Sequence, residues 1–524
     1  MSNNLIDEER DELVRCVNMH NDGTIYRQGK LFSTGQNYYL YDLGTGKVMM
    51  LDNTIYTIVS DLLNIRNKVT YENFLLNDKY SLQALKELMQ IFITESIFQA
   101  YPIDKLYNSS HYEFLEDEIN NNLQQIILEL TEKCNLRCEY CVYQSNYKVC
   151  RDFSQKEMTR AIAKRAIDYA VQHAGDKIAV TFYGGEPLLK FNLMQWCIEY
   201  ARSCFKDKEL TFSITTNLTL VTEEIASYLA TVPNLSVVCS LDGPRDIHDV
   251  YRKYENGMGS FDNAMKGLKI LTKAFKDSKN AISFNTVYAP PYDMEKLDEI
   301  LKFFNSLTWL PQGTSFVITY PNYGSVDDRK EYERLKKNHE NDIEEKKDKF
   351  NPMWAWTKKI IETTKDLNAK ETPVFVYNQV KSLLNIHKRF ISEKPYPFYP
   401  FLGCCTPGAR RLYVSTQGEF FVCERIGVSP SIGDVFNGIS IEKVRKHYVD
   451  EFVEAFEDCK NCWAIRLCQM CYANIYKENS INRDLIKKLC GYKKDEIERE
   501  LVLYHSVYEH TPEKLDCLND YTIT

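Results

Sequence analysis

Gln125-Ile126-Ile127-Leu128-Glu129-Leu130-Thr131-Glu132-Lys133-Cys134-Asn135-Leu136-Arg137-Cys138-Glu139-Tyr140-Cys141 is the stretch on which the fold turns. Its first part, Gln125–Leu130, reads as a strand. Three cysteines follow it within eight residues. Three thiolates so spaced can hold three corners of a [4Fe–4S] cube, which normally takes four Cys ligands. The fourth iron is then open to a substrate or cofactor. A structural zinc site would want a fourth Cys or His nearby; Cys150 is an unproven candidate, and His111 is distant in sequence.

Outward from this loop, the pattern strand, loop, helix repeats. Further strands are expected at Ile178–Tyr183, Leu210–Thr215, Leu235–Leu241, Ala281–Val287 and Thr314–Tyr320, with amphipathic helices such as Glu157–Ala174, Leu189–Phe205 and Ser260–Phe275 between them. Six β/α units in a row imply an α/β fold, a partial (β/α)6 TIM-like barrel whose chemistry sits at the C-terminal strand ends. Those ends carry Gly184-Gly185-Glu186-Pro187, then Ser213-Ile214-Thr215-Thr216-Asn217, then Ser240-Leu241-Asp242-Gly243-Pro244 with Arg252 beyond. Glycines let backbone approach a ligand closely, and a carboxylate can accept from an ammonium group.

The CX3CX2C loop with these strand ends resembles the signature of the radical S-adenosylmethionine (radical SAM) enzymes. The resemblance implies a cluster on Cys134, Cys138 and Cys141 whose open iron chelates the cofactor. Reductive cleavage would then give a 5′-deoxyadenosyl radical that abstracts hydrogen. It further implies cofactor contacts from Tyr140 beside the adenine, Gly184, Gly185 and Glu186 at the amino group, Ser213 and Asn217, Asp242 near the ribose, and Arg252 at the carboxylate. Tyr140 also reads as an ordinary packed ring.

Seventeen Cys in a chain with an acidic, polar start (Met1–Glu9) and no export signal favour metal ligation over disulfides. Cys404, Cys405, Gly418 and Cys423, then Cys459, Cys462, Cys468 and Cys471, then Cys490, resemble the SPASM domain with its two auxiliary [4Fe–4S] clusters, three clusters in all. The resemblance assigns Cys459, Cys462, Cys468 and Cys490 to one of these. It leaves Cys423, Cys471 and one or both of Cys404 and Cys405 to the other. The dense group departs from the usual form: only Gln469-Met470 separate its last pair. A zinc ribbon is the competing reading of the paired Cys.

Upstream, Tyr38–Leu43, Gly44–Lys47 and Val48–Leu51 read as a hairpin, followed by helical patterns at Ile55–Leu63, Tyr71–Leu76 and Leu82–Phe98. Such a winged-helix-like unit resembles those that bind leader peptides as an added strand; it also reads as a structural cap. The expected organisation is 1–110 peptide recognition, 122–320 barrel, 321–397 charged insertion and bridge, 398–495 SPASM, and 496–524 a tail that is helical and then frayed.

With 524 residues, several domains are expected. A net charge of −8 argues against a general nucleic-acid binder. No run approaches the roughly 18 apolar residues of a membrane span, so the expectation is a soluble, cytoplasmic protein. The expected activity is modification of a ribosomally made precursor peptide, with a thioether crosslink as product and a reduced flavodoxin or ferredoxin-type electron donor. Glu424 stands in the position of a catalytic base. The rival is an anaerobic sulfatase-maturing enzyme, forming formylglycine from Cys or Ser, in which that position is Asp. An electron-transfer or scaffold protein would not need Glu186 or the strand-end residues.

Overall fold

The computed structural model describes residues 25–66, 79–143, 151–321, 352–365 and 380–521, apart from single positions 312, 427 and 478, together with Asp11 and Arg15. Six parallel strands run in sequence order: β4 (Leu123–Thr131), β5 (Ala174–Gly184), β6 (Glu209–Thr216), β7 (Leu235–Ser240), β8 (Ala281–Val287) and β9 (Ser315–Thr319). Each falls within a few residues of its expected place. In β6, β7 and β8 period-two alternation of burial is the reason. One lateral row reads Leu128, Phe182, Ile214, Val237, Ile282, every member buried. It lies beneath helices whose apolar stripes recur at helical spacing. These include α4 (Arg160–His173), with Ala163, Ala166, Ile167 and Ala170, and α5 (Phe191–Cys204), with Met194, Cys197, Ile198 and Ala201. On the opposite face a row reads Ile127, Thr181, Ser213, Ser236, predominantly polar and small. The helix side therefore supplies the core, and the other side is left for chemistry.

The sheet does not stop at β4. Residues of the Cys-rich region add β10 (Leu412–Val414), which pairs parallel to β4 with Leu412 opposite Ile126. Beyond it lie β11 (Glu419–Phe421), β12 (Gly433–Asp434) and β13 (Gly438–Ile439), giving ten strands in one sheet. Strands of two or three residues show no readable periodicity.

At the N-terminal end the hairpin is present as β2 (Tyr38–Asp42) and β3 (Val48–Leu51), and an unforeseen strand, β1 (Gly29–Ser33), occupies the other side of β2. Buried Asp42 shapes the turn by accepting from Thr45 N, Thr45 Oγ1 and Phe98 N at 2.8, 2.8 and 2.9 Å. Helix α1 (Asn53–Asn64) is capped by Asp52 as its sequence implies. Helix α2 (Leu82–Glu95) ends earlier than expected, at Ser96 with φ 54°. The helical pattern at Tyr71–Leu76 lies outside the described residues. Ile55, Ile58, Leu62, Leu85, Leu88 and Phe92 form a small core of their own, whereas Phe32, Tyr39 and Tyr41 join the main core.

The expectation of a frayed C-terminus is corrected. Helix α11 (Arg483–His510) has 28 residues, and the 3-10 segment Pro512–Asp520 after it buries Leu515, Cys517 and Leu518. Glu509 anchors α11 by accepting from Thr34 Oγ1, Asn37 Nδ2 and Tyr39 Oη at 2.9, 2.9 and 2.6 Å. Sequence periodicity shows helices but not which distant strand they will cover. Among the described residues no helix is long and apolar enough to cross a membrane.

Candidate cofactor and cluster sites

The Cys134–Cys141 loop leaves the C-terminal end of β4 and is fastened from two sides. From β5, Gly185 N donates to Thr131 O at 2.8 Å and Glu186 N to Lys133 O at 2.9 Å. This contact requires Gly185, because a Cβ there would lie 2.0 Å from Lys133 O. From the segment after α7 (Arg245–Tyr251), Lys253 O accepts from Arg137 N at 2.7 Å and Tyr251 O from Glu139 N at 2.9 Å. Leu136 and Tyr254 extend this short antiparallel clasp. Cys141 N closes the loop on Cys138 O at 2.9 Å.

Burial pushes the Cys134 and Cys138 thiols up to about 12. Cys141 raises both Cys134 and Cys138, and Cys134 raises Cys138, while Arg137 and Arg252 oppose the rise. Three mutually close thiols, ringed by guanidinium groups and opening beside a carboxylate, suit a cluster held at three irons. They suit a single metal ion poorly. Among the described residues no group of three His, Cys, Asp or Glu has the arrangement of a single-ion site, whereas cluster thiolates each take a different iron. Cys150 lies outside the described residues.

Glu186 is 1% exposed. Its Oε1 accepts from Thr216 Oγ1 at 2.8 Å and Leu188 N at 3.2 Å, and its Oε2 from Asn217 N at 2.8 Å. Burial raises its pKa to about 7, against these bonds. Asn217 Nδ2 donates to Asn135 Oδ1 at 2.9 Å, and Asn135 Nδ2 to Thr219 Oγ1 at 2.8 Å, so the third strand end reaches into the cysteine loop. Ser213 lies lower in β6, beside Thr181 and Ser236, and does not share the Glu186 contacts. Thr216 and Asn135 were missed by the sequence reading, although both sit inside the quoted motifs.

Asp242, expected near a ribose, and Arg252, expected at a carboxylate, are each other's partners: Arg252 Nε donates to Asp242 Oδ2 at 2.9 Å. Tyr140 Oη donates to the same oxygen at 2.5 Å, and Val287 N to Oδ1 at 3.0 Å. The guanidinium sits 5.4 Å from the Tyr140 ring centroid. His248, held near Ser260 Oγ at 3.0 Å, is pushed down to about 4 by burial.

The C-terminal cysteines fall into two groups by the reach of their charges. Cys459, Cys462, Cys468 and Cys490 act on one another. Cys404 feels Cys471 and Cys405, and Arg411 reaches both Cys405 and Cys423. Cys423 Sγ lies 3.2 Å from Glu424 Oε2, and Glu424 Oε1 pairs with Arg411 at 3.0 Å. A residue the sequence had set aside reappears here: His111, stacked on Phe401 at 4.2 Å, has Nε2 3.2 Å from Cys405 O.

Residues 128–304 match the radical SAM superfamily. A cysteine-type anaerobic sulfatase-maturating enzyme of Clostridium novyi is 25% identical over 369 residues, 66% of this chain and 87% of that enzyme. An uncharacterised protein of Methanocaldococcus jannaschii is 36% identical over 151 residues, 29% of this chain and 49% of its own length, so the chain spans about half of that relative. The solved structure of native anSMEcpe with bound AdoMet shares the fold, with a TM-score of 0.53, 18% identity, and coverage of 76% of this chain and 100% of that one. The chain is thus an enzyme carrying a radical SAM domain at residues 128–304 and related to the anaerobic sulfatase-maturating enzymes.

Proposed function

We propose that the chain is a radical SAM/SPASM peptide maturase that installs a thioether crosslink in a ribosomally made precursor. Residues 122–320 hold S-adenosylmethionine and the Cys134/Cys138/Cys141 cluster, 398–495 hold two auxiliary clusters, and 1–110 bind the leader. The bridge is 321–397 and the tail 496–524. The observation that carries the reading is the convergence of the cysteine loop, Glu186 with Thr216 and Asn217, and Tyr140 with Asp242 and Arg252 at four adjacent strand ends. When bound, the reduced cluster and its cofactor supply hydrogen-atom abstraction. The residues of the chain do the rest: Glu186 has one acceptor position left for an ammonium group, Gly185 keeps the loop close, and Glu424 is held beside Cys423 by Arg411 as the proton acceptor. A reduced flavodoxin or ferredoxin-type protein is the proposed electron donor. Incubating reconstituted enzyme with reductant, S-adenosylmethionine and a precursor bearing core cysteines should remove two hydrogens per crosslink and one free thiol. A thiol converted to an aldehyde instead would establish the sulfatase-maturase reading, which the similarity to the Clostridium novyi enzyme favours.

Leader binding is proposed at β3, whose outer edge pairs with nothing among the described residues. Asp42 N donates to Lys47 O, so ladder alternation points Met50 N–H away from β2. Met50→Pro should therefore weaken precursor binding at least about fivefold, the loss of one net hydrogen bond of about 1 kcal/mol. Fluorescence anisotropy of labelled leader checks it. Deleting residues 1–110 would be a poorer test, because Tyr41 is part of the main core.

The ligand count of the first auxiliary cluster is open to experiment. Cys404 is half-buried and its Sγ lies 3.6 Å from Met470 O, whereas Cys405 is exposed. Adjacent side chains in extended backbone diverge. If one alone ligates, an open iron remains to bind a substrate thiolate. Cys404→Ala and Cys405→Ala should then differ, with one retaining the cluster's electron paramagnetic resonance signal. Equal loss in both would close that site.

A further inference from the structure

The clasp that fastens the cysteine loop has a register. With Arg137 bonded to Lys253 and Glu139 to Tyr251, the residues directly opposite are Cys138 and Arg252. Residues facing one another in such a pair have Cβ atoms roughly 4.5–5.5 Å apart. The Arg252 side chain is 8% exposed and Asp242 2%. Arg137 and Arg151, the other guanidinium groups near the loop, are 34% and 25% exposed and are more strongly screened. Asp242 receives both Tyr140 Oη and Arg252 Nε on a single oxygen, which fixes the guanidinium over the Tyr140 ring.

We infer that Arg252, aimed by Asp242 and Tyr140, is a positioning residue that sets the reduction potential of the cluster on Cys134, Cys138 and Cys141. This rests on the radical SAM reading of that loop. Reduction adds one negative charge to the cluster. A buried cation facing one of its thiolates stabilises the reduced form most, because little solvent intervenes. Asp242 tempers that effect and prevents Arg252 from being an uncompensated buried charge. Arg252 thereby makes the cluster easier to reduce for a donor of modest potential.

The test is a redox titration of reconstituted holoenzyme, following the paramagnetic signal that changes when S-adenosylmethionine is added. Arg252→Gln should lower the ratio of reduced to oxidised cluster about tenfold at a fixed ambient potential near the wild-type midpoint, a shift of about 59 mV for a one-electron couple. Arg252→Lys keeps the charge and should stay near wild type. Asp242→Asn should shift the midpoint upward. The inference is overturned if Arg252→Gln leaves the midpoint unchanged, or if Arg252→Lys moves it as far as Arg252→Gln. A parallel S-adenosylmethionine titration separates the rival role: lost affinity with an unmoved potential makes Arg252 a cofactor ligand and overturns the inference. Should wild-type protein show no cofactor-responsive signal, the reading of the loop falls and this inference with it; an intact signal with an unmoved potential defeats this inference alone.

Discussion

Replacing Cys134, Cys138 and Cys141 together by alanine should abolish 5′-deoxyadenosine formation while iron bound by the C-terminal cysteines remains. The loop is clamped from outside by backbone bonds from Glu186 to Lys133, from Arg137 to Lys253 and from Glu139 to Tyr251, while Cys134 Sγ accepts from Leu136 N inside the loop. The substitution therefore removes ligands without removing the loop's outer fastenings. Burial lifts the pKa of Cys134 and Cys138 to about 12, so the cluster-free wild type holds neutral thiols there. Alanine removes no charge, and the variant should melt close to the cluster-free wild type. Chromatography of the cleavage products with iron and sulfide analysis checks both halves. Retained cleavage would refute the assignment of this loop.

Glu186→Gln carries the second large effect. A charge-assisted hydrogen bond to the cofactor ammonium contributes roughly 1.5–3 kcal/mol, so S-adenosylmethionine affinity should fall by about one to two orders of magnitude. The local geometry makes this substitution harsher than an isosteric change elsewhere. All three described partners of the carboxylate, Thr216 Oγ1, Leu188 N and Asn217 N, donate to it. An amide can offer an oxygen on one side alone, and its NH2 must face a backbone donor on the other. Calorimetric titration gives the affinity and a thermal melt of the cofactor-free protein gives the separate cost of that clash. An unchanged dissociation constant would place the ammonium elsewhere.

The strands of the radical SAM domain were legible because β6, β7 and β8 alternate in burial over five or more residues, and because β5 ends at Gly184 and β6 runs into Asn217. Gly184-Gly185-Glu186 stood out for the same reason: backbone that must pass within bonding distance of Lys133 tolerates no side chain. What escaped reading was pairing at long range. Tyr140, Asp242 and Arg252 were each visible as polar residues at strand ends, but that one carboxylate oxygen takes two of them is a property of folded distance. His111 was set aside for its remoteness in sequence and lies against Cys405. Strand β1 escaped because Gly29–Ser33 carries no alternation that distinguishes it from a loop.

The junction of β10 with β4 has a consequence for how the chain is made. Leu412 pairs with Ile126, so β4 emerges from the ribosome with one side ready for β5 and the other without a neighbour until most of the chain has been synthesised. Long-range parallel pairing is slow, and an unpaired strand edge is a template for association with other chains. The first strand of the cofactor-binding sheet thus completes last. A nascent chain halted before Leu412 carries an open seam along the strand that leads into its cysteine loop.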